Sequence, residues 1–406
     1  MDRKGMHMNI LIVANYCRDF SKIDNGRFNY LARLLAKEHN VEVITSDFNH
    51  TTKTFKEEIC GILPFKVTFI HETGYPKNIC LRRFYSHYVW GKNIGSYLLK
   101  IDKPDLIYCA IPSLEAPFVI ARYCKQNNVR FIIDIQDLWP EAFKMVFNTP
   151  LLSDIIYQPM KMKADYIYSQ ADQIIAVSKT YVNRAMKAKK QREKGYAVFL
   201  GTELASFDLA KQKYIIKYNH KEIHCAYIGS LGYSYDLECI IDAIALLKKR
   251  GITNIRLIVM GDGPLKEKFE NHAKSINVNC DFLGKLDYPQ MVRNLCACDI
   301  AVNPIKKGSA GSILNKVGDY AAAGLPVINT QDSREYRDLL EEYNAGLNCI
   351  CGEAKDVAMK FEYLIKNENI KVQMGLNSRK LAEEKFDRAR TYETIVQIIN
   401  DDFLEK

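Results

Sequence analysis

Short apolar runs and amphipathic stretches alternate along the whole chain. Runs rich in Val and Ile occupy residues 9–14, 41–46, 66–70, 106–110, 130–135, 173–177 and 196–200. Their lack of polar alternation predicts strands buried on both faces. Between most of them apolar residues recur at helical spacing, as at 29–37, 82–100 and 114–126. Residues 201–220 are polar and break the rhythm, which places a domain boundary there. The rhythm then restarts, predicting strands at 223–228, 255–260, 278–283, 300–303 and 326–330, with helices at 236–250, 264–275, 288–296 and 314–323. Helical patterns over 354–366, 370–385 and 387–403 close the chain. Strands alternating with helices imply right-handed crossovers and parallel sheets. The fold class is therefore α/β, with two Rossmann-like doubly wound domains facing across a cleft. Residues 1–205 form the first and 206–386 the second. Ligands of such sheets bind beyond the carboxyl ends of the strands, so the cleft is the natural active site.

A length of 406 residues suits two domains, and 48% hydrophobic with 26% charged residues is ordinary for a globular chain. No apolar run is long enough to span a bilayer, which takes about 18 residues or more, and the 9–14 run is too short for a signal-peptide core. The 12 cysteines are scattered; their close pairs are Cys296 with Cys298 and Cys349 with Cys351. Zinc-type spacings are absent, so no metal is expected, and a reduced, cytoplasmic setting fits. The net charge of +9 is one-sided: residues 1–200 carry 29 basic and 19 acidic side chains, the remainder 28 and 29. One basic group comprises Lys179, Arg184, Lys187, Lys189, Lys190, Arg192 and Lys194. A second, Lys77, Arg82, Arg83 and Lys92, is interleaved with Tyr75, Phe84, Tyr85, Tyr88 and Trp90. Such a mixture suits an anionic membrane surface or a solvated helix face. No nucleic-acid-binding motif accompanies it, so no nucleic-acid partner is expected.

Candidate chemistry centres on residues 308–328. A small-residue loop containing Ser309, Gly311 and Ser312 opens a helix, and a helix start favours an anion through unpaired N–H groups and the helix dipole. Lys316 and Asp319 share one helix face. A cation for phosphate and a carboxylate for a ribose diol would suit a nucleoside diphosphate. A core helix with solvated Lys and Asp is the plain alternative. Gly229, Ser230 and Gly232 follow the first strand of the second domain, where glycines admit a pyrophosphate. Asp262, between Gly261 and Gly263, follows the next strand, as a ligand contact or a structural turn. Gly284 and Lys285 end the third and could offer backbone groups to a base. In the first domain, Asp137 stands at a strand's carboxyl end beside Trp139 and Pro140, facing the cleft or capping a turn. Gly26 and Arg27, before a helix, could reach the phosphates or the acceptor from the opposite side. The candidate catalytic residues are Asp137 and Lys316. No Gly-x-Ser-x-Gly elbow or Walker loop appears, and no histidine sits in a dyad.

The ordered set 137–141, 171–178, 229–232, 261–264, 282–284 and 315–327 resembles the retaining GT-B fold glycosyltransferases of family 4, of the bacterial capsule and lipopolysaccharide type. The resemblance implies a nucleotide-sugar donor, UDP-type, on the second domain and a lipid-linked glycan acceptor on the first. It implies hexosyl or N-acetylhexosaminyl transfer with retention and without a metal. By it, Asp319 holds the ribose hydroxyls, Lys316 and the 308–312 loop stabilise the departing diphosphate, and Gly284 and Lys285 border the base. The terminal helix, about 387–406, crosses back onto the first domain. The sequence departs from the family at two points. The first Glu of its Glu-x7-Glu motif falls on Gly311, leaving Ser309, Ser312 or backbone amides to meet the sugar. Its usual basic pair is absent, with Ser230 and Tyr235 near those places. The expectation is a cytoplasmic enzyme, peripheral on the inner face of the cytoplasmic membrane. The alternatives are a GT-B-like UDP-sugar epimerase and a non-catalytic binding subunit.

Overall fold

The computed structural model describes residues 7–17, 20, 26–56, 62–146, 152–189, 195–213, 216, 218–219, 221–309 and 312–401. Residues up to Val198, together with those from Tyr392 on, make one compact unit, and Phe199–Thr391 makes the other.

The first unit is built on seven strands: β1 (Asn9–Val13), β2 (Asn40–Ser46), β3 (Lys66–Ile70), β4 (Leu106–Ile111), β5 (Arg130–Ile135), β6 (Gln173–Ala176) and β7 (Tyr196–Ala197). They lie in the order β3-β2-β1-β4-β5-β6-β7, every pair parallel. The chain winds outward from β1 in one direction, then returns to β4 and winds the other way. The switch point therefore lies between β1 and β4, where open α/β sheets bind ligands. Both faces are covered, as the unbroken apolar runs require: all six residues of β4 are buried. Helix α1 (Arg27–Leu35) buries Leu31, Ala32 and Leu35 on one face. Helix α2 (Leu81–Leu98) buries His87, Trp90 and Ile94. The last helix, α5 (Glu393–Asp401), belongs to this core through Ile395 and Ile399, together with the preceding Tyr392. Arg130 donates to the carbonyls of Ile398 and Ile399, both at 2.5 Å.

The second unit repeats the plan with six strands: β8 (Ile223–Ile228), β9 (Ile255–Met260), β10 (Cys280–Gly284), β11 (Ile300–Asn303), β12 (Val327–Asn329) and β13 (Gly346–Asn348), in the order β10-β9-β8-β11-β12-β13, all parallel. Helix α3 (Leu237–Lys249) and α4 (Asn315–Ala322) cover its faces, α3 burying seven of its side chains. The two doubly wound sheets follow the sequence prediction. Three details differ. The polar 201–220 stretch contains a helix, Leu204–Lys213, anchored by buried Leu204 and Phe207. Helix Arg334–Tyr343 was not predicted, although Tyr336, Leu339 and Leu340 recur at helical spacing and form its buried face. The 387–403 pattern is two helices, Arg388–Thr391 and α5. Among the described residues, no helix is long and apolar enough to cross a membrane.

Candidate functional site

Helix α4 places Lys316 and Asp319 in the interior. The Lys316 side chain is only 8% exposed, and its Nζ has no hydrogen-bond partner. The ammonium lies 4.3 Å from the ring centroids of both Tyr227, on β8, and Tyr235, which precedes α3. Burial pushes its pKa well below the usual lysine range. Cation–π contact with two rings returns part of the desolvation cost, about 0.5–1 kcal/mol for each exposed ring and more when buried. It supplies no negative charge. The site is thus a buried amine with no hydrogen-bond partner or carboxylate at its Nζ among the described residues.

The turn above it is glycine-built. Gly229 has φ +132°, and a Cβ there would stand 3.8 Å from Lys316 Nζ. Tyr227 Oη donates to the Ser230 carbonyl at 2.6 Å, tying the turn to the strand, while the Ser230 side chain is exposed. Gly232 accepts from the Tyr235 amide at 3.1 Å. The 261–265 turn is zipped to this one: Gly229 N–H donates to Met260, Leu231 N–H to Asp262, and Leu265 N–H to Leu231. A Cβ on Gly261 would meet the Gly229 carbonyl at 1.8 Å. The Gly-x-Gly turn is thereby explained as close backbone packing. Asp262 is exposed and caps its own turn, accepting from Gly263 N–H at 2.8 Å.

Asp319 is buried, and its Oδ1 accepts from Thr202 Oγ1 at 2.9 Å and Tyr288 Oη at 2.8 Å. This carboxylate already holds two hydroxyls, both the protein's own. Gly284, at φ +71°, ends β10 with open space around it, and Lys285 is exposed. Of the 308–312 loop, Ser309 N–H donates to Lys306 and Gly308 N–H to Asp332. Ser312 is buried, its carbonyl accepting from Gln331 Nε2 at 2.7 Å. Gln331 in turn accepts from Asn303 Nδ2 at 3.1 Å, so an amide network pins the loop. Gly311 lies outside the described residues. Sequence reasoning missed Tyr227, Thr202 and Tyr288 and gave Tyr235 no role. They come from a strand, a loop and two helix entries far apart in sequence, with no local signal to link them.

In the first unit, Asp137 follows β5 and is partly buried. It accepts from Leu138 N–H at 3.0 Å and Tyr181 Oη at 3.2 Å. Burial raises its carboxyl pKa, and these hydrogen bonds with the Arg83 charge offset part of the rise. Arg27 departs from its expected acceptor-side role. Its guanidinium is buried and bound to Asp134 (Nε–Oδ2 2.6 Å, Nη2–Oδ1 3.1 Å), the Val198 carbonyl and Tyr392 Oη. Asp134 also accepts from Tyr108 and Gln136. Buried charge needs such pairing, so Arg27 is a core tie. Gly26 precedes α1 as its N-cap. Three buried side chains with unpartnered polar atoms gather at the carboxyl edge near the switch point: Asn15 after β1, Ser113 after β4, and His87 on α2.

The basic groups divide. Lys189 is buried against the Ala171 and Asp172 carbonyls, and Arg184 is paired with Glu141 and Asp165. Lys190, Arg192 and Lys194 lie outside the described residues. In the other group Tyr75 and Trp90 are buried, while Leu81, Phe84, Tyr85 and Tyr88 are exposed with Arg82 on α2.

Residues 210–381 match the family model described as Glycosyl transferases group 1. The GalNAc-alpha-(1->4)-GalNAc-alpha-(1->3)-diNAcBac-PP-undecaprenol alpha-1,4-N-acetyl-D-galactosaminyltransferase of Campylobacter jejuni is 23% identical over 168 residues, 40% of this chain and 44% of that protein, so the match spans less than half of either. The capsular polysaccharide biosynthesis glycosyltransferase CapM of Staphylococcus aureus is 22% identical over 392 residues, 92% of each. Sucrose-phosphate synthase from Thermosynechococcus elongatus has a similar structure, with TM-score 0.73, 15% identity, and coverage of 98% of this chain and 100% of that one. Anabaena HepE in complex with UDP-glucose follows at TM-score 0.68 and 15% identity, covering 97% and 100%. The fold is GT-B.

Proposed function

We propose that this chain, which carries a glycosyl transferases group 1 domain over residues 210–381, is a retaining glycosyltransferase using a UDP-type sugar donor and a lipid-linked glycan acceptor in bacterial surface polysaccharide synthesis. The buried, unpartnered Lys316 ammonium beneath the Gly229 turn carries the reading. A diphosphate supplies the missing anion. As the bond to the sugar breaks, negative charge grows on the leaving diphosphate, and a fixed cation in a dry site stabilises that charge more than it does the ground state.

The other roles follow from that placement. A ribose diol approaching Asp319 would take over the bonds now made by Thr202 and Tyr288. Gly284 and Lys285 would border the base. Ser309, Gly311 and Ser312 would meet the sugar, with Gly229, Ser230 and Gly232 over the diphosphate. Asp137 in the first unit would orient the acceptor hydroxyl. A UDP-type donor is supported by HepE, whose structure holds UDP-glucose, and a lipid-linked acceptor by the undecaprenol-linked substrate of the Campylobacter relative. Peripheral attachment to the inner membrane face is supported by the exposed Leu81, Phe84, Tyr85 and Tyr88 beside Arg82 on α2. Flotation with anionic vesicles tests it: binding that is equal on neutral vesicles would contradict it.

The decisive experiment is a thermal-shift panel of nucleoside diphosphates and their sugars. UDP is expected to raise the melting point in wild type and to raise it less, at the same concentration, in Lys316→Met. Anomeric coupling constants of the product then report retention. A full panel without any shift would overturn the reading.

A further inference from the structure

A cavity of about 110 Å³ lies at the carboxyl edge of the first sheet, beside the β1/β4 switch point. That is several times the ~10–15 Å³ one water needs on the same measure. His87 and Ser113 line it, each about 1% exposed, and His87 Nδ1 and Ser113 Oγ have no partner. Tyr16 Oη accepts from Arg83 Nη2 at 3.0 Å and lies 2.9 Å from His87 Nε2. In the tautomer whose Nε2 accepts from Tyr16, the neutral imidazole carries its proton on Nδ1. Burial and the nearby Arg83 charge keep it neutral, its pKa lowered to about 3. The cavity therefore presents one N–H donor and one hydroxyl.

Its remaining wall is apolar, formed by Phe84, Leu114, Trp139 and Met160. The charged residues at the wall, Glu115 and Lys163, neutralise each other at 2.5 Å. A neutral occupant fits, one with a carbonyl for the His87 N–H and an apolar tip for the wall. Leaving the two buried polar groups unpaired is unfavourable, and a matching ligand relieves that cost.

We propose that this cavity is a subsite for the N-acetyl group of an acetamido sugar, with the amide oxygen on His87 Nδ1–H, the amide N–H on Ser113 Oγ and the methyl against Trp139 and Met160. The proposal deepens the glycosyltransferase reading, on which its place in the acceptor rests: it makes the accepting residue an N-acetylamino sugar.

Saturation-transfer NMR on the full chain tests it. The probes are methyl glycosides of N-acetylglucosamine and N-acetylgalactosamine, compared with those of glucose, galactose and glucosamine, without nucleotide. The acetyl methyl protons should take up the most saturation. The acetylated sugars should bind at least about ten-fold tighter, a difference of 1.4 kcal/mol. The ¹³C-methyl resonance of Met160, assigned with Met160→Leu, should shift on binding. Ser113→Ala, a small deletion at a buried hydroxyl, should abolish the preference while leaving the melting point near wild type. Equal binding of both sugar classes, no binding, or binding that leaves Met160 unmoved would mean that the cavity holds water only, and would overturn the proposal. A UDP thermal shift in the same preparation separates the two readings. UDP binding without acetamido preference removes the subsite alone, whereas acetamido preference without UDP binding removes the donor site and leaves the subsite.

Discussion

Replacing Lys316 with Met should weaken ligand binding while changing folding stability little, or raising it. In the unliganded chain the ammonium is buried without an anion, and an unsatisfied buried polar group costs about 1–3 kcal/mol. Two cation–π contacts return on the order of 1–2 kcal/mol of that. Met preserves the stem packing, so the net change is between about −1 and +2 kcal/mol in favour of the variant. For a unit of this size the melting point should fall by no more than about 4 °C and rise by up to about 8 °C, at roughly 2–4 °C per kcal/mol. UDP binding should weaken by about 1.5–3 kcal/mol, the worth of a hydrogen bond to a charged group, or roughly 10- to 150-fold. The pH dependence has a definite sign. The free-state Lys316 pKa is depressed by burial, and a diphosphate raises it. Binding therefore takes up a proton wherever the free lysine is neutral, and affinity falls as pH rises above that free-state value. Calorimetry in buffers of different ionisation enthalpy reads the uptake, which Lys316→Met should abolish. A melting point lowered by more than a few degrees, with UDP protection and proton uptake intact, would refute the assignment and make Lys316 a structural residue.

Asp319→Asn keeps the shape and removes the charge that accepts two hydroxyls; uridine nucleotides should bind roughly ten-fold or more weakly, by about 1.5–3 kcal/mol, as read by calorimetry. Asp137→Asn should leave the UDP thermal shift unchanged while lowering turnover by about 10²–10⁴. The wild-type acid limb should lie above the ordinary aspartate value of about 3.9, because burial raises this pKa and the working carboxylate is lost as pH falls through it. Arg27→Met leaves Asp134 charged and buried, so denaturant unfolding should show a loss of about 3–5 kcal/mol, which Arg27→Met with Asp134→Asn recovers in part.

The two sheets were legible because Val- and Ile-rich runs such as 10–13 and 257–260 bury both faces and leave little ambiguity of period. Boundaries were harder where burial is sparse. Leu204 and Phe207 anchor a helix inside a stretch that composition marks as linker, and only the second core reveals what they pack against. Lys316 and Asp319 were visible because helical spacing is local. Their surroundings were not, since the rings over Lys316 come from positions 227 and 235 and the hydroxyls on Asp319 from 202 and 288. Arg27 misled because a basic residue at a helix start looks the same in sequence whether it meets solvent or a buried carboxylate 107 positions away.

The return of the last helix to the first unit has a consequence for biosynthesis. Domains emerging from the ribosome ordinarily mature in the order they are made. Here the amino-terminal layer lacks Tyr392, Ile395 and Ile399 from its interior, and the hydroxyl that meets Arg27, until synthesis has passed residue 399. The middle of the polypeptide is complete before its beginning is. Newly made chains stalled short of Tyr392 would carry an open apolar seam, which makes chaperone engagement and proteolytic sensitivity properties of the amino-terminal half rather than of the nascent end.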